Sequence, residues 1–101
     1  PEDIDKSGVI IDFYADWCIP CKELDKFTFS DPRVVEKSKK FYTFKADMTK
    51  SLSDEVEALR NKYNIVGVPT VLILDAEGNE VKRITGFVNA DEFYEMIRNV
   101  N

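Results

Sequence analysis

Two cysteines three residues apart, Cys18 and Cys21, have the residue type and spacing most typical of chemistry in this chain. A C-x-x-C pair can be a redox couple, half of a zinc site, a two-thiolate site for a soft metal ion, or a structural disulfide. Structural zinc requires four ligands, and the chain has no third cysteine and no histidine to complete the set. A structural disulfide that closes so short a loop would remove little conformational entropy from the unfolded chain and would therefore stabilise the fold little. The spacing therefore favours a redox couple, with Cu(I) binding by two thiolates as an alternative.

Composition narrows the function classes further. The 101 residues include no histidine, which excludes Ser-His-Asp and Cys-His catalytic centres and histidine metal sites. Fourteen basic and 19 acidic side chains give a formal charge of −5, which argues against nucleic acid or anionic lipid as a partner. The longest apolar stretch, residues 65–74, is about half as long as a membrane span requires. We therefore expect protein or small-molecule partners.

The cysteines follow a segment that is typical of a buried strand. Residues 9–15 are mostly β-branched and aromatic, as expected for a strand covered on both faces. Residues 22–27 are helix formers, with Leu24 and Phe27 spaced to face the sheet. The sequence therefore predicts a strand that passes directly into a helix.

Cys18 lies at this predicted junction. Pro20 is tolerated there because the first helical turn has N–H groups without intrahelical partners. Those N–H groups and the helix dipole would lower the pKa of a thiol. We predict that Cys18 is the attacking thiolate and that Cys21, one turn further and less exposed, is the resolving thiol. Trp17 is either an ordinary core aromatic or a docking surface beside the sulfur, and its position on an exposed turn favours docking.

The remaining segments alternate between helix and strand. Asp31 before a proline predicts a short helix to about residue 39, and acidic residues after Ser53 begin another. Further elements are expected as strands over 41–46, 70–74 and 80–85, and as a final helix over 91–100. The order β-α-α-β-α-β-β-α predicts an α/β fold with a central mixed sheet flanked by helices on both faces.

The domain organisation follows from length. We expect one domain over residues 1–101, because this length supports one hydrophobic core, and its charge and size favour a monomer. Residues 1–6 have neither a basic start nor an apolar segment, so an export signal was removed or never encoded. The start of the chain fits either a processed chain or a domain excised from a larger membrane protein.

The order of motifs resembles the thioredoxin fold over nearly the whole chain. A strand runs into Trp-Cys-x-x-Cys at residues 17–21, and Val-Pro-Thr at residues 68–70 opens a later strand before a hairpin and a terminal helix. Within this superfamily, residues 14–18 and the run over 22–32 resemble the C-terminal periplasmic domains of the DsbD family of thiol:disulfide interchange proteins. Ile19 departs from common thioredoxins, which usually carry glycine there, and suits a dedicated electron carrier.

The resemblance implies a thiol:disulfide oxidoreductase, a protein-disulfide reductase with no cofactor beyond the Cys18–Cys21 disulfide. It implies that electrons arrive from a membrane-embedded donor domain and leave to a periplasmic acceptor domain, on the periplasmic side of the bacterial inner membrane. The alternatives are a free thioredoxin, which would be cytoplasmic, and a cytochrome-maturation thiol reductase. A redox-inert thioredoxin-like module is a further alternative.

The resemblance also implies a partner-binding groove. Pro69 would be a cis-proline packed against the cysteine pair, which leaves the Val68 backbone free to pair with a partner strand. Trp17, Ile19 and Pro20 would line the same groove. The alternative is a trans proline at the start of an edge strand.

Two carboxylates are candidates for tuning the pKa of the thiols. Asp12 interrupts the apolar strand six residues before Cys18, and burial would raise its pKa. The resemblance implies that it accepts the proton of Cys21, with Lys45 on the neighbouring strand as its partner. Asp25, four residues after Cys21, shares its helical face and would raise a cysteine pKa. The alternatives are an Asp12 on the solvent side of the strand and an Asp25 that is a solvated surface charge.

Overall fold

The computed structural model describes residues 6–50 and 52–100. In chain order, its elements are β1 (Gly8–Tyr14), α1 (Ile19–Glu23, continued by a π-helical turn over Leu24–Thr28), α2 (Pro32–Ser38), β2 (Phe41–Asp47), α3 (Asp54–Tyr63), β3 (Thr70–Asp75), β4 (Glu80–Thr85) and α4 (Ala90–Ile97). The predicted order of elements is confirmed, with small shifts at their ends. None of the helices in the described ranges has the length and apolar character that crossing a membrane requires.

The four strands form one sheet in the order β2-β1-β3-β4. β1 runs parallel to β2 and antiparallel to β3, and β4 is antiparallel to β3. The predicted mixed sheet is therefore confirmed. β1 and β3 are central strands, which explains their apolar sequences, whereas the edge strand β2 exposes its middle residues.

Successive side chains of β1 enter two different apolar layers, because neighbouring residues of a strand point to opposite faces. Ile10 packs with Leu24 and Phe93 in the layer that α1, α2 and α4 cover. Ile11 and Phe13 pack on the opposite face, against side chains of α3. Helices therefore flank both faces of the sheet. The side chain of Asp12 points to the same face of the sheet as that of Ile10, because the two residues are two positions apart in β1.

Phe27 lies at the surface, so the prediction that it faces the sheet was wrong. α1 passes into a π-helical turn, in which the Phe29 N–H donates to the Leu24 carbonyl at 2.8 Å. The additional residue in this turn rotates Phe27 outward, and it is 56% exposed. Thr28 takes the buried position, and its hydroxyl donates to the Val88 carbonyl at 2.6 Å.

Candidate active site

Cys18 lies at the junction between β1 and α1, as predicted. It is the N-cap of α1, and its Sγ accepts a hydrogen bond from the Cys21 N–H at 3.2 Å. Pro20 occupies the first turn of the helix. Cys18 and Cys21 form a disulfide, with their Cα atoms 5.3 Å apart. The sulfur of Cys18 therefore already accepts from an N–H of the kind that stabilises a thiolate.

The two cysteines do not differ in exposure as the sequence predicted. Cys18 is 3% exposed and Cys21 is 5% exposed, so Cys21 is not the less accessible residue in the disulfide form. The reason is packing: both belong to a small cluster with Ala15, against which the partly buried Tyr14 and Val68 pack. The assignment of Cys18 as the attacking thiolate therefore depends on its N-cap position rather than on its exposure.

Exposed apolar side chains flank the disulfide in the chain. Trp17 and Ile19 are 65% and 68% exposed, and Pro20 is exposed as well. The Trp17 Nε1–H donates to the Thr49 carbonyl at 3.3 Å, which holds the indole against the loop after β2. The alternative of Trp17 as an ordinary core aromatic is therefore wrong.

The loop before β3 lies beside the disulfide, because Val68 packs against the cysteine cluster. The Val68–Pro69 peptide bond is cis, and the trans alternative is wrong. Pro69 is buried, and its carbonyl accepts from the Gly86 N–H at 3.1 Å. Val66 in the same loop is 98% exposed. Sequence reasoning did not single out Val66, although an apolar residue just before the Val-Pro-Thr motif was a usable signal.

Asp12 is a buried carboxylate, 7% exposed, so the solvent-facing alternative is wrong. It pairs in register with Lys45 of β2, and the Lys45 Nζ lies 3.8 Å from Asp12 Oδ2. Asp12 Oδ1 has no hydrogen-bond partner in the part of the chain that the structure describes. Burial raises the pKa of Asp12 to about 6, although the nearby charge of Lys45 opposes this shift.

Lys45 contacts a second carboxylate, that of Asp25. Its Nζ is 3.3 Å from both Asp25 oxygens and 4.8 Å from the centroid of the Tyr14 ring. Lys45 and Asp25 are each about half exposed, so water screens this pair more than it screens Asp12. The charge of Asp25 also contributes to the raised pKa of Asp12. Sequence reasoning did not predict the pairing of Asp25 with Lys45, because no local pattern links residues 20 positions apart.

The structure therefore combines a disulfide with a cluster of Asp12, Lys45 and Asp25 on β1, β2 and the π-helical turn. Within residues 6–50 and 52–100, no group of three or more His, Cys, Asp or Glu side chains could hold a metal ion. The disulfide is suited to dithiol–disulfide exchange, in which the two thiols of the reduced form supply the electrons.

The mixed sheet, the cis-proline and the disulfide at a strand–helix junction define a thioredoxin-like redox domain. A family model described as a thioredoxin-like domain matches residues 3–101, and the chain belongs to this family.

Within this family, the chain is similar to segments of the thiol:disulfide interchange protein DsbD. DsbD of Haemophilus influenzae (strain PittEE) is 45% identical over 89 residues, which cover 86% of this chain and 15% of the relative. DsbD of Vibrio vulnificus (strain CMCP6) is 42% identical over 98 residues, which cover 95% of this chain and 16% of the relative. The chain thus spans about a sixth of the length of the curated relatives it matches.

Solved structures support the same grouping. The reduced C-terminal domain of Neisseria meningitidis DsbD matches with a TM-score of 0.83 and 33% identity, over 99% of this chain and 86% of that domain. A thioredoxin from Thermus thermophilus matches with a TM-score of 0.75 and 26% identity, over 91% of this chain and 72% of that one. The predicted thioredoxin fold and the resemblance to DsbD C-terminal domains are confirmed.

Proposed function

We propose that this domain is a protein-disulfide reductase that relays two electrons by dithiol–disulfide exchange in a DsbD-like pathway. The observation that carries the proposal is the Cys18–Cys21 disulfide at the N-cap of α1, in a chain 45% identical to a segment of DsbD. The redox-active disulfide is the only redox group that this reaction requires of the domain.

The reaction begins from the reduced domain. The Cys18 thiolate attacks one sulfur of the partner disulfide, forms a mixed disulfide and expels the first partner thiolate. Cys21 then loses its proton and attacks the Cys18 sulfur, which forms the Cys18–Cys21 disulfide and releases the second partner thiolate. Two electrons pass to the partner, whose two thiolates take up protons, and the domain returns to the disulfide form.

Asp12 is the proposed acceptor of the Cys21 proton. Its burial and its pKa of about 6 support this role, because a carboxylate whose pKa lies close to neutral pH can both take and return a proton. Lys45 adjusts this acceptor by its charge, 3.8 Å from Asp12 Oδ2. Asp25, four residues after Cys21 in the chain, is proposed to oppose thiolate formation, since a negative charge close to a thiol would raise the pKa of that thiol.

The proposed docking surface consists of Trp17, Ile19, Pro20 and Val68, with the buried cis-Pro69 fixing the backbone next to Val68. Large exposed apolar side chains beside the disulfide support it, because such patches mark interaction sites. The backbone of Val68, next to the cis-proline, would pair with an extended segment of the partner.

The proposed partners are a membrane-embedded domain that donates electrons and a periplasmic domain that accepts them. With these partners, the domain is proposed to act as a monomer on the periplasmic side of the bacterial inner membrane. This proposal is supported by the similarity to DsbD. The segment that matches this chain makes up 15% of the length of the Haemophilus influenzae relative.

The proposal is tested by trapping. Cys21→Ser removes the resolving thiol, so mixed disulfides between Cys18 and its partner should accumulate and be separable on non-reducing gels. Cys18→Ser is the matched control and should trap none under the same conditions. Equal trapping by both variants, or none by Cys21→Ser, contradicts the assigned roles.

Redox titration separates this function from the alternatives. A reductase should show a reversible two-electron couple in the range of thioredoxin-like proteins. Tight stoichiometric Cu(I) binding without exchange activity would favour the metal-binding alternative, and neither property would indicate a redox-inert module. Preference for a periplasmic acceptor domain over general protein disulfides distinguishes the relay from a free thioredoxin or a cytochrome-maturation reductase.

A further inference from the structure

The loop over residues 65–69 joins α3 to β3 and carries Val68 against the cysteine cluster. At its far end the Pro69 carbonyl accepts from the Gly86 N–H at 3.1 Å, just after β4. Val66, near its start, is an apolar side chain that is 98% exposed. Since so exposed a side chain makes few contacts of its own, the direction in which Val66 points depends on the contacts that hold the start of the loop.

Arg83 of β4 holds the start of this loop. α3 ends at its C-cap Asn64, whose backbone is left-handed with φ of 54°. The end of a helix leaves carbonyl groups without intrahelical donors, and the helix dipole favours a cation there. The Arg83 Nη2 donates to the Tyr63 carbonyl at 2.6 Å, and its Nη1 lies 3.5 Å from the Asn64 carbonyl oxygen. One guanidinium therefore ties the two residues directly before the loop to the sheet.

A β-bulge in β4 places Glu80 on the same face as Arg83. Residues three apart in a regular strand point to opposite faces of the sheet. Arg83 pairs with Leu72 and Glu80 pairs with Leu74, and both leucines belong to the apolar layer that α3 covers. Val81 is the additional residue of the bulge, which shifts the register so that both charged side chains face α3.

Glu80 fixes the orientation of the guanidinium. The Arg83 Nε donates to Glu80 Oε2 at 2.9 Å, and the Arg83 Nη2 donates to Glu80 Oε1 at 3.0 Å, so the pair is bidentate. The two side chains are 32% and 36% exposed, and water therefore screens their charges. The hydrogen bonds from Arg83 lower the pKa of Glu80, which keeps this carboxylate ionised at neutral pH. The pair therefore aims the guanidinium more than it stabilises the fold.

We propose that Arg83 is a positioning residue for partner docking, because it fixes the start of the 65–69 loop and thereby the direction in which Val66 and Val68 meet an extended, apolar segment of a protein substrate. This inference rests on the proposed function, and it adds Val66 to the docking surface by continuity with Val68, two residues further along the same loop. Arg83 acts through the loop, so its removal should weaken docking more than it slows the exchange chemistry.

The test compares two disulfide probes that have the same thionitrobenzoate leaving group. One joins it to the cysteine of an extended Val-Thr-Cys-Thr-Val peptide, and the other joins it to N-acetylcysteine. In each reaction the Cys18 thiolate of the reduced domain expels the coloured thionitrobenzoate, and Cys21 then releases the second thiol as the disulfide forms. The ratio of the two rate constants reports docking of the peptide, because any loss of folded protein cancels from it. For the wild type we expect a ratio of about ten in favour of the peptide.

Three variants make the result specific. Arg83→Met removes the donors and keeps an unbranched apolar stem, and Val66→Ser removes the apolar contact; each should lower this ratio at least about threefold. Lys82→Met is the matched control, since Lys82 pairs with Ile73 and points to the opposite face of the sheet, and it should keep the wild-type ratio. The amide chemical shifts of Val66 and Val68 should change in Arg83→Met but not in Lys82→Met.

A wild-type ratio near one overturns the proposal. So does a ratio that Arg83→Met or Val66→Ser leaves unchanged, or one that Lys82→Met lowers equally. In each of these cases, release of thionitrobenzoate from both probes would leave the proposed reductase function intact. No release from either probe by the reduced wild type would refute that function and this inference with it.

Discussion

Asp12 and Lys45 face each other across β1 and β2, with the Lys45 Nζ 3.8 Å from Asp12 Oδ2. This separation exceeds the usual length of a hydrogen bond. The same ammonium lies closer to Asp25, at 3.3 Å. The buried carboxylate of Asp12 therefore shares the ammonium of Lys45 with the half-exposed carboxylate of Asp25. This sharing is consistent with the pKa of Asp12, which burial raises to about 6.

Asp12→Asn is expected to stabilise the folded chain at alkaline pH. Burial raises the pKa of Asp12 from 3.8 to about 6, so the folded state binds this proton more tightly than the unfolded state does. The free-energy cost of burying the ionised carboxylate is absent below pH 3.8, grows between pH 3.8 and about pH 6, and is complete above about pH 6. Its full size is up to about 3 kcal/mol. Urea unfolding at about pH 8 and about pH 4 measures it. A gain that is equal at both pH values contradicts the assignment.

Lys45→Met is expected to raise the pKa of Asp12 above about 6, because the charge of Lys45 is the largest effect that opposes burial. Carboxyl ¹³C chemical shifts followed against pH report this value directly. Lys82→Met removes the same charge from an exposed position of β4 and should leave the pKa of Asp12 unchanged. Similar titration curves for wild type and Lys45→Met would show that the ion pair has no influence.

The sequence predicted those parts of the site that local pattern determines. The apolar β1, the N-cap position of Cys18 and the burial of Asp12 follow from strand composition and helix-end chemistry. The contact between Asp25 and Lys45 could not be predicted, because a tertiary approach across 20 residues of chain creates it. The exposure of Phe27 could not be predicted either, since one π-helical turn changes the face of every residue after it.

Thr28→Val is expected to destabilise the fold, whereas Phe27→Ala is expected to change it little. Thr28 is fully buried, and its hydroxyl donates to the Val88 carbonyl at 2.6 Å, so the loss should be about 1–2 kcal/mol. Phe27 is 56% exposed, and its truncation should cost less than about 1 kcal/mol. Paired urea denaturation curves measure both. The opposite ranking would indicate a regular α-helix through residues 24–28 instead of a π-helical turn.

Gly8→Ala is expected to destabilise the chain because β1 and β3 approach closely at this position. A Cβ added at Gly8 would overlap the backbone oxygen of Leu74, so one of the two central strands must move. A cost of about 1–3 kcal/mol is expected, measured by thermal or urea unfolding. Gly67→Ala is the matched control, since its Cβ would meet nothing within 4 Å. Equal stability of the two variants would show that the sheet accommodates the added methyl group at Gly8.

Trp17→Ala is expected to slow the reduction of protein disulfides while leaving the reduction of a small aromatic disulfide almost unchanged. Trp17 is 65% exposed, so its removal creates no core cavity, and a docking residue contributes only when the substrate is large enough to reach it. The expected loss is about tenfold for a protein substrate, as for an aromatic side chain at the centre of an interface. Val81→Ala removes a half-exposed apolar side chain from β4 and should affect neither substrate. If Trp17→Ala slowed both substrates equally, Trp17 would act on the thiols themselves, because a small disulfide makes no contact with a docking surface.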